Sequence, residues 1–295
     1  MRVTTGSRLH FGLLALGGPR RFGGVGLMID APALRVSASA AAEWQAEGPL
    51  AERALHFARR LDAPPHVLHV ETAPPEHSGF GTGTQLALAI GRLLTPLPLA
   101  EIIHRTGRGQ RSAIGTHGFA QGGLLVDGGR KDQLAPLLVR YAFPEEWRMV
   151  VALPVASGGL SGPAEIGAFA QLRGKRQHTD DLCRLTLLGM LPAVLERDLA
   201  AFAAALGEYN AKSGELFAPV QGGPYSSGPV SELIAYLRQL GFEGVGQSSW
   251  GPAVFAIAEA DRAAWLTEHL RERVAAVWLA QARNQGALLE PDSSG

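Results

Sequence analysis

Short runs of alternating apolar and polar residues, separated by glycine and proline, dominate the first half of the chain. Alternation places successive side chains on opposite faces of an extended backbone, and Gly or Pro between two runs ends a strand. This pattern predicts early strands over 2–14, 25–29, 33–40 and 67–71. Two further strands are predicted over 122–127 and 149–153.

Apolar residues spaced three or four positions apart predict the helices. In the first half these are 49–61, 85–94 and 97–105; in the second half they are 163–173, 179–206, 230–240 and 261–274. Strands are predicted over 253–259 and 276–280, and the polar residues 285–295 are expected to fray. Strands and helices mixed in both halves predict an α+β fold. The break near 142–148 divides the chain into predicted domains of residues 1–145 and 146–295.

The composition is that of a globular protein with a sizeable core, at 46% hydrophobic and 18% charged residues. The 27 basic and 27 acidic residues balance, which gives no reason to expect a nucleic acid or an anionic membrane as partner. No apolar run approaches the roughly 20 residues of a membrane span. A single cysteine, Cys183, excludes an internal disulfide framework and a cysteine-based zinc site. We expect a cytoplasmic protein.

Glycines and small polar residues stand directly before an apolar helical run in segment 75–94, PEHSGFGTGTQLALAIGRLL. Glycine leaves backbone N–H groups accessible to an anion, and a helix N-terminus favours phosphate. Thr82 or Thr84 is predicted to cap the helix. No Lys-Ser or Lys-Thr pair follows the last glycine, so this is not a Walker motif. The predicted phosphate-binding residues are Ser78, Gly79, Gly81, Thr82, Gly83, Thr84 and Gln85.

Two other glycine-rich motifs accompany this turn. GSRLHFGL over 6–13 places Arg8 and His10 on one face of the first strand, and VGQSSWGPAVF over 245–255 is a polar turn that runs into a strand. Together the three motifs resemble, in order and approximate spacing, those of the GHMP superfamily of galacto-, homoserine, mevalonate and phosphomevalonate kinases. The resemblance implies an N-terminal α+β domain, a C-terminal ferredoxin-like domain, and a ligand cleft between them.

A fourth segment, SAIGTHGFAQGG over 112–123, indicates the branch of the superfamily. It resembles the Ser-Gly-Val-Asp run of mevalonate-kinase-like enzymes, but Gly115 stands at the position of the catalytic Asp. Glycine cannot accept a proton, which argues against ordinary ATP-dependent phosphoryl transfer. The sequence over 8–13, 77–91, 107–129 and 244–257 instead resembles that of the β-ribofuranosylaminobenzene 5′-phosphate synthase family.

That resemblance implies an activity. The family condenses phosphoribosyl pyrophosphate with 4-aminobenzoate or 4-hydroxybenzoate, with loss of pyrophosphate and CO₂, on the way to methanopterin-type cofactors of one-carbon metabolism. Magnesium is implied and ATP is not expected. A homodimer suits such a fold, although the sequence shows no dimerisation motif.

Candidate residues follow from this chemistry. His10 and His117 are the predicted acid–base residues, and Arg111 joins them as a predicted catalytic residue because guanidinium binds oxygen pairs. Asp127, at a strand end, is a candidate magnesium ligand. The predicted substrate-binding residues outside the glycine-rich turn are Arg8, Arg108, Gln247, Ser248, Ser249 and Trp250.

Simpler interpretations stay open for several of these residues. Asp127 before Gly128 is also an ordinary turn residue, His10 and His117 also suit structural positions, and Trp250 also suits a wedge between domains. Two other functions stay open as well. One is a divergent GHMP kinase that uses a base elsewhere, such as Asp127. The other is a non-catalytic protein that binds a phosphorylated metabolite.

Overall fold

A mixed sheet forms the first layer of the computed structural model, which describes residues 1–109, 112–155 and 176–291. Its strands are β1 (Arg2–Leu13), β2 (Gly24–Ala40), β3 (Gln45–Glu47), β4 (His66–Thr72), β5 (Leu124–Asp127), β6 (Leu137–Tyr141) and β11 (Leu288–Glu290). The order is β11-β1-β2-β4-β3, with β5 pairing β2 and β6. All these pairs are antiparallel except β3 with β4.

Four helices cover this sheet: α1 (Ala51–Ala58), α2 (Thr82–Leu94), α3 (Leu99–Thr106) and α4 (Ile114–Gln121). Helix α2 lies at the centre, in contact with the other three and with β1 and β2. Its apolar residues from Leu86 to Ile90 are fully buried in the core, which is why this run is apolar nearly all round.

The second sheet is antiparallel, in the order β10-β7-β9-β8. It contains β7 (Trp147–Leu153), β8 (Val245–Gln247), β9 (Val254–Glu259) and β10 (Ala276–Ala280). Helices lie between β7 and β8 and between β9 and β10, so the chain runs β-α-β-β-α-β. This connectivity is ferredoxin-like, and with the first sheet it confirms the predicted α+β fold.

The long helix predicted over 179–206 is broken in the structure. It consists of α5 (Arg176–Arg184), a π-helical segment (Leu185–Met190), α6 (Leu191–Glu196) and α7 (Leu199–Glu215). The break falls where Arg197 adopts a left-handed conformation and the Asp198 side chain accepts a hydrogen bond of 2.9 Å from the backbone N–H of Ala201. An N-cap of this kind starts a new helix. Further helices are α8 (Ala218–Gln221), α9 (Gly228–Gln239) and α10 (Ala260–Leu270).

Other expectations need correction. The two strands predicted over 25–29 and 33–40 are one strand, β2, because a bulge opposite β1 accommodates Pro32. The pattern missed β3, β6, β8, α4 and α8. The predicted helix over 163–173 lies outside the described residues.

The sequence predicts that residues 285–295 fray, but part of this segment is paired in the structure. Ala287 N donates to Phe119 O at 2.7 Å, and β11 pairs with β1. Backbone hydrogen bonds to the first sheet thus override the polarity of this segment. The chain passes from the first sheet to the second after β6 and returns to the first sheet with β11. The division at residue 145 therefore stays a prediction.

Within the described part of the chain, no single helix is long and apolar enough to cross a membrane. Helices α2 and α3 reach that length and composition only as a pair, and they are bent by 118° at their junction. The apolar residues of α2 belong to the core described above.

Candidate functional site

A cleft of about 630 Å³ opens between the two sheets. Its walls come from β1, the glycine-rich turn before α2, the loop after α3, helix α7 and the turn between β8 and β9. The predicted site residues that line it are Arg8, His10, Gly79, Gly81, Thr82, Gly83, Thr84, Arg108, Gln247, Ser249 and Trp250. Motifs far apart in the sequence are thus brought to one place.

The N-terminus of α2 forms one wall of the cleft. Gly81 is the N-cap residue and has a left-handed backbone (φ 71°), which glycine adopts without strain. No side chain caps the helix, so the prediction that Thr82 or Thr84 does so is wrong. Thr82 already lies within the helix, and its hydroxyl donates to Pro75 O at 3.2 Å. Thr84 N and Gln85 N donate to Gly81 O at 2.9 and 3.2 Å, whereas the N–H groups of Thr82 and Gly83 have no acceptor within the helix and carry its positive partial charge.

Three arginines surround this helix terminus. The guanidinium carbon of Arg8 lies 3.4 Å from the point that a Cβ atom on Gly81 would occupy. A Cβ atom on the next glycine, Gly83, would lie 2.6 Å from Arg108 Nη2 and closer still to Arg53 Nη2. Burial lowers the pKa of Arg53, whose guanidinium pairs with Glu76 and lies 5.8 Å from the ring of Phe57.

Arg53 is a cleft residue that the sequence analysis missed. It lies on the short amphipathic helix α1, where its position matches that of an ordinary solvent-facing arginine. Only the packing of α1 against α2 brings its guanidinium to the cleft. No local signal in the sequence marks it.

Ser248 joins β1 to the glycine-rich turn. Its hydroxyl accepts from His10 N at 3.0 Å and donates to Gly79 O at 2.7 Å, and Ser249 N donates to His10 O at 3.0 Å. Ser248 is fully buried, and neither it nor buried Ser78 lines the cleft. These two predicted substrate contacts hold the walls together instead. A Cβ atom on Gly251 would overlap the backbone of Ser78 and Gly79, so the two turns touch directly.

Helix α7 supplies cleft residues that the motifs did not include. Asn210 Nδ2 donates to Phe11 O at 2.6 Å and to Gln247 O at 2.9 Å, and Gln247 N donates to Asn210 Oδ1 at 2.9 Å. Ser213 Oγ accepts from Leu13 N at 2.9 Å, and Tyr209 OH donates to Gly12 O at 2.9 Å. A polar stripe on an otherwise Ala- and Leu-rich helix is the signal that could have identified these residues.

Aromatic side chains form the apolar wall. Trp250 and Phe217 meet edge to face with ring centroids 5.1 Å apart, and Phe22 and Tyr225 also line the cleft. Trp250 is only 4% exposed. The cleft therefore has one cationic wall and one wall suited to a flat ring.

Besides Ser78 and Ser248, three more predicted residues lie away from the cleft lining. Gln85 is fully buried, accepting from Thr5 Oγ1 and donating to Gly115 O, both at 2.8 Å. His117 Nε2 lies 2.8 Å from Ala135 O, outside the cleft wall. The third is Asp127, described next. Arg111 lies outside the described residues, so its predicted role has no structural description.

Asp127 is buried and accepts three hydrogen bonds from the protein. Its donors are Ser112 Oγ at 2.8 Å, Ala113 N at 2.9 Å and Gly129 N at 3.0 Å. Burial raises the pKa of this carboxyl, and the hydrogen bonds oppose that shift. The geometry gives Asp127 the task of holding the chain at the start of α4.

The charge of the cleft wall is one-sided. Among the described residues that line it, none is Asp or Glu. The described part of the chain also contains no group of three His, Cys, Asp or Glu residues placed to hold a metal ion. Magnesium prefers carboxylate and other oxygen ligands. This donor set does not fit a magnesium ion resident on the protein, but it fits a polyanion.

Comparisons with known proteins agree with this geometry. Residues 190–276 match the family described as GHMP kinases C terminal. The chain is 32% identical to the beta-ribofuranosylphenol 5′-phosphate synthase of Methanothermobacter thermautotrophicus, over 87% of this chain and 88% of that protein. It is 31% identical to the protein of the same name from Archaeoglobus fulgidus, over 98% of this chain and 99% of that protein.

Solved structures show the same fold at low sequence identity. A mevalonate pyrophosphate decarboxylase from Streptococcus pyogenes matches with a TM-score of 0.66 and 13% identity, over 99% of this chain and 98% of that one. A homoserine kinase from Cytophaga hutchinsonii matches with a TM-score of 0.63 and 13% identity, over 98% and 96%. These likenesses confirm the GHMP-type fold.

Proposed function

The chain belongs to the family of the β-ribofuranosylphenol 5′-phosphate synthases, and from that premise we propose that it joins phosphoribosyl pyrophosphate to 4-hydroxybenzoate or 4-aminobenzoate, releasing pyrophosphate and CO₂. The product is a β-ribofuranosyl-arene 5′-phosphate of methanopterin-type cofactor biosynthesis. The names of the relatives support the phenol product, and hence 4-hydroxybenzoate as acceptor. The observation that carries the proposal is a cleft that combines a cationic wall, with no carboxylate among the residues that the structure describes, and an aromatic wall.

The cationic wall suits the ribosyl donor. Phosphoribosyl pyrophosphate is highly anionic, and Arg8 and Arg108 can bind its oxygens in pairs beside the N-terminus of α2. As the bond between the anomeric carbon and the pyrophosphate oxygen breaks, its electron pair moves to the pyrophosphate. Fixed positive groups at that place stabilise the charge that develops.

The aromatic wall suits the acceptor. Trp250 and Phe217 border the cleft with their edge-to-face pair, which suits the benzoate ring and shields the cationic ribosyl centre from water. The ring carbon that bears the carboxylate attacks the anomeric carbon, and a new C–C bond forms. The bond to the carboxylate then breaks, CO₂ leaves, and its electron pair restores the aromatic ring. No ring proton has to be removed.

The substitution at the kinase base position supports this reaction over phosphoryl transfer. Gly115 offers no carboxylate beside Thr84, whose Cγ2 is 3.4 Å from the place where a Cβ atom would be. An acceptor that loses CO₂ does not need that base. His10 is the acid–base residue that we retain, because it lines the cleft and imidazole both accepts and donates protons.

Magnesium enters the proposal as part of the substrate. Because the cleft wall has no carboxylate among the described residues, we propose that the ion arrives bound to the pyrophosphate of the donor. We also propose a cytoplasmic location, because the substrates are small, soluble molecules. No ATP is required by this chemistry.

The test uses purified protein, phosphoribosyl pyrophosphate, magnesium and each benzoate labelled at the carboxyl carbon. We expect labelled CO₂ and pyrophosphate in equal amounts, with the hydroxybenzoate favoured. A parallel reaction with ATP and homoserine or mevalonate tests the kinase alternative. Folded protein that releases no CO₂ from either acceptor would contradict the proposal.

A further inference from the structure

Two guanidinium groups converge on one point at the start of α2. Arg53 comes from α1 and Arg108 from the loop after α3, yet Nη2 of both lies beside the same position above Gly83. The N–H groups of Thr82 and Gly83, which have no acceptor within the helix, lie at the same helix terminus and add positive partial charge. Three positive elements from separate parts of the chain therefore meet here.

Bringing two guanidinium groups to one place costs free energy unless an anion lies between them. Like charges repel, and burial removes the water that would screen them, as the lowered pKa of Arg53 reflects. Glu76 pairs with Arg53 from outside the cleft lining. The described residues of the lining present guanidinium groups and no carboxylate to a ligand.

We propose that Arg53 and Arg108, together with the first turn of α2, form a clamp for a diphosphate group. The proposal rests on the proposed function, in which the diphosphate is the pyrophosphate of phosphoribosyl pyrophosphate. Arg53 is then a substrate-binding residue that the glycine-rich motifs do not include. The clamp stabilises the leaving group when the bond to the anomeric carbon breaks.

A diphosphate fits the clamp better than a single phosphate. Each guanidinium fork binds a pair of oxygens, and the two forks and the helix N–H groups come from three separate parts of the chain. Two linked phosphates can place one group on the forks and the other on the helix terminus. A free phosphate monoester, such as ribose 5-phosphate, is expected to bind the clamp more weakly.

The experiment measures binding of inorganic pyrophosphate and of ribose 5-phosphate by calorimetry, without turnover. We compare Arg53→Gln with Arg59→Gln, a matched change at an exposed arginine just beyond the same helix. One charge-assisted contact contributes about 1.5–3 kcal/mol. Arg53→Gln should therefore weaken pyrophosphate binding about 10- to 100-fold, and Arg59→Gln should leave it unchanged.

A second variant separates a lost clamp from a lost fold. Arg53→Lys keeps the charge but not the fork, so we expect an intermediate loss of pyrophosphate affinity at an unchanged melting temperature. In turnover assays the KM for phosphoribosyl pyrophosphate should rise in Arg53→Lys, while the KM for the benzoate should not.

The outcomes distinguish the clamp from the reaction. If pyrophosphate binds and depends on Arg53 but no CO₂ is released, the clamp stands and the proposed reaction fails. If CO₂ is released and folded Arg53→Gln binds pyrophosphate as tightly as Arg59→Gln, the reaction stands and the clamp is overturned. Equal affinity of the unchanged protein for pyrophosphate and ribose 5-phosphate would overturn the diphosphate assignment.

Discussion

Replacing Asn210 by Ala tests how α7 is fixed against the rest of the cleft. This side chain is 4% exposed and makes three hydrogen bonds, to Phe11 O, Gln247 O and Gln247 N. Alanine leaves these three backbone groups without that partner. A buried polar group that loses its partner costs about 1–3 kcal/mol.

The lower end of that range applies because Asn210 borders the cleft, where water can enter. We therefore expect the free energy of unfolding to fall by about 3 kcal/mol. This corresponds to a fall in melting temperature of about 6–12 °C. Asn210→Asp should be at least as destabilising at neutral pH, because a carboxylate oxygen would face two carbonyl oxygens.

The assay is urea denaturation followed by tryptophan fluorescence, with calorimetry for the melting temperature. Glu208→Ala, on the same helix, is the matched control, because its pair with Arg184 is exposed and 3.4 Å long. The control should change stability by less than about 0.5 kcal/mol. If Asn210→Ala behaves like this control, the three hydrogen bonds do not hold α7 in place and the reasoning is refuted.

Four further predictions address the site and its chemistry. Gly115→Asp would place its Cβ atom at an ordinary contact distance from Thr84, and in folded protein it should raise the KM for phosphoribosyl pyrophosphate by adding negative charge beside the first turn of α2. An unchanged KM in steady-state kinetics would count against the cationic wall as the site of the donor. His10→Gln should lower kcat more than His117→Gln, because His10 lines the cleft and His117 does not. The reverse order would favour the sequence prediction for His117. Burial raises the pKa of Cys183, so the folded protein contains less thiolate at a given pH. Iodoacetamide should therefore react more slowly with the native than with the urea-unfolded protein. Equal rates between pH 7 and 9 would contradict this. Chelation of magnesium should stop turnover without lowering the melting temperature, whereas a lowered melting temperature would indicate an ion resident on the protein.

The sequence predicted the parts of the site that local motifs encode. Gly81 and Trp250 line the cleft because each lies at a turn that its motif determines, and Arg8 lines it because the first motif places it on one face of β1. The fold class followed from the order of strands and helices for the same reason. The wrong cap at Thr82 was a local error, since Gly81 takes the N-cap position.

What the sequence could not supply depends on tertiary packing. Arg53 reaches the cleft only because α1 packs on α2, and periodicity cannot show which neighbour a helix face meets. Ser248 and Gln85 have the polar character of ligand contacts, but their partners are backbone and side-chain groups of distant segments. The break at Arg197 carries no glycine or proline that would have signalled it.

The pairing of β11 with β1 has a consequence for biosynthesis. The strand that carries Arg8 and His10 leaves the ribosome some 280 residues before Leu288–Glu290, which pair with its Arg2–Thr4 edge. Until then β1 presents unpaired backbone groups at that edge, the kind of edge that recruits other chains. The nascent protein thus depends on β11 to complete β1, and expression of residues 1–145 alone would leave that aggregation-prone edge permanently exposed.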